Sequence, residues 1–106
     1  MEAKEALFQK IAEGLIAGEE GVDRGKMMSA PGIRYRGKVF AFFHEDKMTF
    51  KLGKDFDPEA NNIKQFSLLN PFKNKPPMKA WFIIPEPAHW ERLALLALEK
   101  IRSGGK

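Results

Sequence analysis

The chain contains no cysteine among its 106 residues, which excludes both a disulfide framework and a thiolate metal site. It also lacks any apolar run near the roughly 20 residues that a membrane-spanning helix requires, and its first residues form no apolar signal region. A cytoplasmic protein that makes no membrane contact is therefore expected. No glycine-rich phosphate loop, metal-binding helix motif, internal repeat or low-complexity segment occurs. Ser29, Ser67 and Ser103 have no histidine and carboxylate beside them in sequence, so no nucleophile, base and oxyanion site are signalled together. The expectation is a protein that is not an enzyme and has no cofactor or bound metal.

What is present suits one globular domain over residues 1–106. Hydrophobic residues make up 43% and charged residues 30% of the chain, and a chain of this length buries roughly 65% of its unfolded surface. The organising stretch is Lys26 to Leu52. A Ser-Ala-Pro-Gly break opens it, and two turn signals, Arg36-Gly37 and Glu45-Asp46, separate three runs rich in β-branched and aromatic residues. That pattern predicts a three-strand antiparallel meander. The middle run, Val39 to Phe43, is apolar on both alternating faces, as befits a central strand covered on each side. In the flanking runs Ile33 and Tyr35 alternate with Arg34 and Arg36, while Met48, Phe50 and Leu52 alternate with Lys47, Thr49 and Lys51, so each is expected to have one wet face. Gly37 suits a turn position with positive φ, but Glu45-Asp46 has no glycine. The register stays open: a slip by one residue exchanges Phe40 and Phe42 for Val39, Ala41 and Phe43 on the core side.

The flanks of the meander read as follows. Leu7, Phe8, Ile11, Leu15 and Ile16 recur at helical spacing and predict an N-terminal helix that stops at Gly18 to Gly21. A linker of about eight residues then leads to Lys26. Beyond the meander, Gly53 to Asp57 reads as a turn, and Asp57-Pro58 pairs an N-cap with proline at the first helical position, predicting a short helix from Pro58 to about Gln65. Phe66 to Leu69 is a candidate strand, the proline-rich Asn70 to Pro77 an exposed loop, and Lys79 to Ile84 a strand. Pro85-Glu86-Pro87 primes a last helix from about Ala88 to Arg102, with Trp90, Leu93, Ala94, Ala97, Leu98 and Ile101 on its apolar face. The fold class is α+β: helix, three-strand antiparallel meander, short helix, two strands, C-terminal helix.

Charge is divided unevenly along the chain. Residues 1–23 carry a net charge of −4 and residues 24–106 one of +8. The acidic first segment either complements the basic remainder internally or leaves a basic sheet face for an anionic partner. Arg34, Arg36, Lys47 and Lys51 lie on or beside the meander with Tyr35, Phe43 and Phe50 interleaved, an arrangement that can stack bases and neutralise phosphates. Nine phenylalanines in so short a chain must mostly fill a core, which favours a solvated basic face. The loop bearing Phe72, Lys73 and Lys75 is a second candidate contact surface. His44-Glu45-Asp46 contains potential metal ligands, but neighbours in an extended chain face opposite sides, so a solvated turn is expected. His89 reads as a helix-start residue.

Four motifs carry a family resemblance: Lys26-Met27-Met28-Ser29-Ala30-Pro31-Gly32, Gly37-Lys38-Val39-Phe40-Ala41, Phe50-Lys51-Leu52, and Pro77-Met78-Lys79-Ala80-Trp81. In this order and spacing the chain, from about residue 5 to 102, resembles the N-terminal domain of TfoX/Sxy proteins. It departs from that pattern at Met28 and Ser29, where phenylalanine and glycine are usual. The resemblance implies an α+β fold, kinship with regulators of natural competence that act as transcriptional co-activators, and no catalytic residues. The function it implies is a non-catalytic regulatory or protein-interaction domain whose partner is another protein. The alternative is a nucleic-acid-binding domain using the basic sheet face.

Overall fold

The computed structural model of the chain describes residues 2–27, 29–69 and 78–104. Helix α1 spans Glu2–Gly18, and four strands follow it: β1 Val22–Met27, β2 Ala30–Tyr35, β3 Lys38–His44 and β4 Lys47–Lys51. A single 3-10 turn, Glu59–Asn61, precedes β5 Ser67–Leu69; β6 Met78–Ile84 then leads through a second 3-10 turn, Pro87–His89, into α2 Trp90–Gly104. The strands form one antiparallel sheet in the order β1-β2-β3-β4-β6-β5. The architecture is one α+β domain.

Both helices pack on the same face of that sheet. Phe8, Ile11, Ala12 and Leu15 of α1 and Trp90, Leu93, Ala94, Ala97, Leu98 and Ile101 of α2 join Ile33, Ala41, Met48, Phe50, Phe82 and Ile84 in the main core. The α2 positions are the stripe that the spacing predicts; on α1 Phe8, Ile11 and Leu15 are as predicted, Ala12 joins them, and Leu7 and Ile16 are only partly buried. Phe43 fastens the layers together, its ring stacked on Phe8 at 5.4 Å and edge-on to Trp90 at 5.9 Å. Trp90 is fully buried, and its indole N–H donates to the Ile84 carbonyl at 2.9 Å, so burial of its one polar atom carries little cost.

Three sequence expectations need correction. The linker before Lys26 contains a strand, β1, which pairs along its whole length with β2 from Val22↔Tyr35 to Met27↔Ala30. The meander therefore has four strands, not three. The short helix expected over residues 58–65 is only the turn Glu59–Asn61. The Asp57 carboxylate accepts from the Glu59 and Ala60 N–H groups at 3.1 and 3.3 Å, as the cap reading requires, but Asn62 enters the left-handed region at φ 64° and ends the helix after one turn. Ile63 then drops into the core. The loop expected at residues 70–77 lies outside the described residues.

The open question of register is answered by a bulge. Across β2 and β3, Ile33 pairs with Ala41 but Arg34 pairs with Val39, so Phe40 is an extra residue on β3. A bulge turns two successive side chains to one side, and Phe40 and Ala41 both enter the main core, while Val39 and Phe42 belong to the opposite face. Neither simple register matches this. The following hairpin turns through Glu45 and Asp46 alone, at φ 52° and 64°. That mirror-image turn matches the sheet twist, but side-chain-bearing residues held there cost roughly 1 kcal/mol or more each relative to glycine.

Candidate functional site: the sheet face opposite the helices

The second face of the sheet has its own apolar cluster. Ala30, Phe42, Leu69 and Trp81 are buried there, with Met27, Val39, Ala80 and Ile83 half-buried around them. Among the described residues, none from either helix belongs to this cluster. The register explains it: Phe42 pairs with Gly32 on one side and Thr49 on the other, and Thr49 pairs with Ile83, so these positions share a face. Gly32 keeps the middle of the face shallow. A Cβ placed on it would lie 2.8 Å from the Ala41 carbonyl oxygen and 3.1 Å from the Phe42 Cβ.

The expected wet face of β4 is thus not uniformly wet. Lys47, Thr49 and Lys51 do share the side away from the helices, but Thr49 is buried and Lys51 half-buried, directly across from Trp81. Lys47 stands exposed at the hairpin end. Two lysines four residues apart along a strand are about 13 Å apart, with the buried Thr49 between them.

Of the predicted cations, Arg34 shares this face near the β1 edge, and it is engaged. Its guanidinium donates to the two carboxylate oxygens of Asp23, directly opposite on β1, at 2.7 and 3.2 Å. The hydrogen bond from Arg34 holds the Asp23 carboxyl below its ordinary value, and the same bond raises the Arg34 pKa. Arg36 sits in the β2–β3 turn, its guanidinium carbon 5.3 Å from the centre of the Tyr35 ring, while Arg102 approaches the same ring at 6.0 Å. Arg34 and Lys51 lie toward one end of the sheet and Lys47 toward the other, so the four cations do not form one patch. Phe72, Lys73 and Lys75 lie outside the described residues.

The interleaved aromatics point the other way. Phe50 is fully buried in the main core, and Tyr35 and Phe43 pack against it. None of the three shares the face that carries Arg34, Lys47 and Lys51, and the aromatic rings on that face, Phe42 and Trp81, are themselves buried. His44 is exposed at the hairpin, 3.7 Å from Glu45. His89 lies beside α2, its Nδ1 3.1 Å from an Arg92 nitrogen and its Nε2 3.4 Å from Glu86. Among the described residues, no three His, Cys, Asp or Glu side chains are grouped to hold a metal, and no helix is long and apolar enough to cross a membrane.

No family model, curated protein or solved structure matches this chain. Its function is therefore read from its own geometry. The feature of that geometry that the sequence reading missed is a pocket of about 360 Å³ on the second face, at the β3–β4 hairpin end. Met27, Ala30, Phe42, Leu69 and Ile83 line it with Thr49 and Ser67, and His44, Glu45 and Lys47 contribute from the hairpin. A signal for it existed. The runs Val39 to Phe43 and Trp81 to Ile84 are each apolar at every position, so two central strands had to place large side chains on both faces.

Proposed function

We propose that this chain is a non-catalytic regulatory module that acts by binding another protein, the role implied by its resemblance to the TfoX/Sxy N-terminal domain. One observation carries the reading: the face of the sheet without helices has an apolar centre, Met27, Val39, Ala80 and Ile83 over Phe42 and Trp81, with charged groups at its margins. An apolar, aromatic-rich centre within a polar rim is the anatomy of a protein contact surface. The opposite face is already occupied by α1 and α2, so a partner reaches the sheet from this side.

Site-specific photocrosslinking in cells tests it. A photoreactive amino acid at Val39, half-buried on the proposed face, is expected to yield one dominant protein adduct. The same group at Leu95, exposed on α2, is expected to yield none. Adducts from Leu95 alone, or from neither position, would rule out this face as the contact surface.

A further inference from the structure

The pocket at the hairpin end carries a more specific chemistry than the apolar face around it, and we propose that it binds a small apolar α-amino acid. The floor is apolar, made by Phe42, Leu69 and Ile83 with Met27 and Ala30, and its volume of about 360 Å³ falls within the usual range for small-molecule sites. The rim carries one anion, Glu45 in the turn, and one cation, Lys47 just after it, with the His44 imidazole 3.7 Å from Glu45. A ligand that neutralises both must carry an ammonium and a carboxylate, and one that also fills the floor must be apolar beyond them.

Two further observations point to a ligand. Thr49 is the one buried polar residue among the described residues, 3% exposed, and it lines this pocket. No buried side-chain oxygen or nitrogen among the described residues is sealed off without a hydrogen-bond partner. Thr49 therefore brings the hydroxyl of a buried side chain to a pocket whose floor is apolar. The turn that carries Glu45 holds two residues with side chains in the left-handed region, at φ 52° and 64°, where Asn-Gly is the common choice. Strained backbone of this kind collects at ligand-binding sites, and here it brings Glu45 to the pocket rim.

The amino acid lies with its carboxylate at Lys47, its ammonium at Glu45 and its side chain against Phe42 and Ile83, within reach of the Thr49 hydroxyl. This inference concerns the same sheet face as the protein contact but does not depend on it. It is tested on the purified full chain by calorimetric titration with L-leucine, L-isoleucine, L-methionine and L-phenylalanine. Each is compared with the matching acid that lacks the amine and the matching amine that lacks the carboxylate. At least one amino acid is expected to bind saturably, with both of its comparators weaker by about tenfold or more, the worth of one charged contact. Lys47→Met, Glu45→Gln and Thr49→Val are each expected to weaken that binding, the first two with an unchanged melting temperature. Absence of saturable binding by all four at a Kd tighter than about 10 mM would overturn the assignment. So would comparators that bind equally well, or affinity indifferent to both rim substitutions. A protein adduct at Val39 without amino-acid binding would remove this inference and leave the interaction reading in place.

Discussion

Gly32 lies in β2, paired with Gly25 of β1 on one side and Phe42 of β3 on the other. Its missing side chain is a packing requirement: the added Cβ would stand 2.8 Å from a backbone oxygen of β3, which cannot swing aside as a side chain can. Gly32→Ala is therefore expected to lower stability by about 1–3 kcal/mol, the usual cost of overpacking. Gly37 offers the contrast. It has open space around it but sits at φ 87°, so Gly37→Ala is expected to cost only the left-handed penalty of about 1–2 kcal/mol, without displacing β3. Urea unfolding measures the cost of both, and backbone amide shifts in β3 separate them. A Gly32→Ala variant with wild-type shifts at Ala41 and Phe42 would show that the strands have slack. Sequence alone distinguishes these glycines poorly. Arg36-Gly37 announces a hairpin, whereas Gly32 reads as part of a break after Pro31 and only the strand register shows what it faces.

At the scale of elements, α1 and α2 were legible because each carries its apolar residues on one stripe: all six residues selected on α2 are in the core, as are Phe8, Ile11 and Leu15 on α1, while Leu7 and Ile16 pack at its margin and Ala12 joins it. Strand β1 was not legible. Its sequence Val-Asp-Arg-Gly-Lys-Met has the charges and the glycine expected of a linker, but the same composition suits an edge strand that must not recruit another edge. Pairing two copies of β1 antiparallel, faces aligned, would set Arg24 against Arg24, Arg24 against Lys26 or Asp23 against Asp23 in the central registers. The pocket was half legible. The doubly apolar β3 and β6 required an apolar second face, but Thr49 looked solvated because it sits between two lysines, and its burial depends on Phe42 and Ile83 across the ladder. Helix α1 gives a direct test. Phe8 of α1 is fully buried and stacks on Phe43, so Phe8→Ala is expected to cost about 3–5 kcal/mol, a large fraction of a small domain's stability of about 5–15 kcal/mol. Removal of residues 1–20 is expected to yield a chain that aggregates or fails to unfold cooperatively, because the sheet face under the stripe would be bare. A soluble truncation with a cooperative urea transition would show that α1 is not part of the folding unit.

At the scale of the whole molecule, the charge division along the chain is met in part inside it. Three acids of the first 23 residues pair with three arginines of the remainder: Glu13 with Arg24 at 3.8 Å, Asp23 with Arg34 at 2.7 Å and Glu19 with Arg102 at 2.9 Å. Each pair is solvent-exposed, where ion pairs add little stability, so their weight lies in the charge they neutralise on the surface. A nucleic-acid interface on the sheet would need free cations beside exposed aromatic rings. Here Arg34 is held by Asp23, Arg36 lies over Tyr35, and Tyr35, Phe43 and Phe50 are turned into the core. Gel-shift titration of the full chain with single-stranded and duplex DNA and RNA is accordingly expected to show no retardation at low salt. Arg34→Glu with Lys51→Glu is expected to leave a folded chain with a cooperative urea transition, since the ion pair it breaks lies at the surface, where such pairs add little stability. The contrary outcome is equally definite. Binding at low salt that weakens by about 10³-fold or more at physiological salt, the signature of six or more phosphate contacts, and that the double substitution abolishes, would make the basic face the working surface. The protein-partner reading would then give way to nucleic-acid binding.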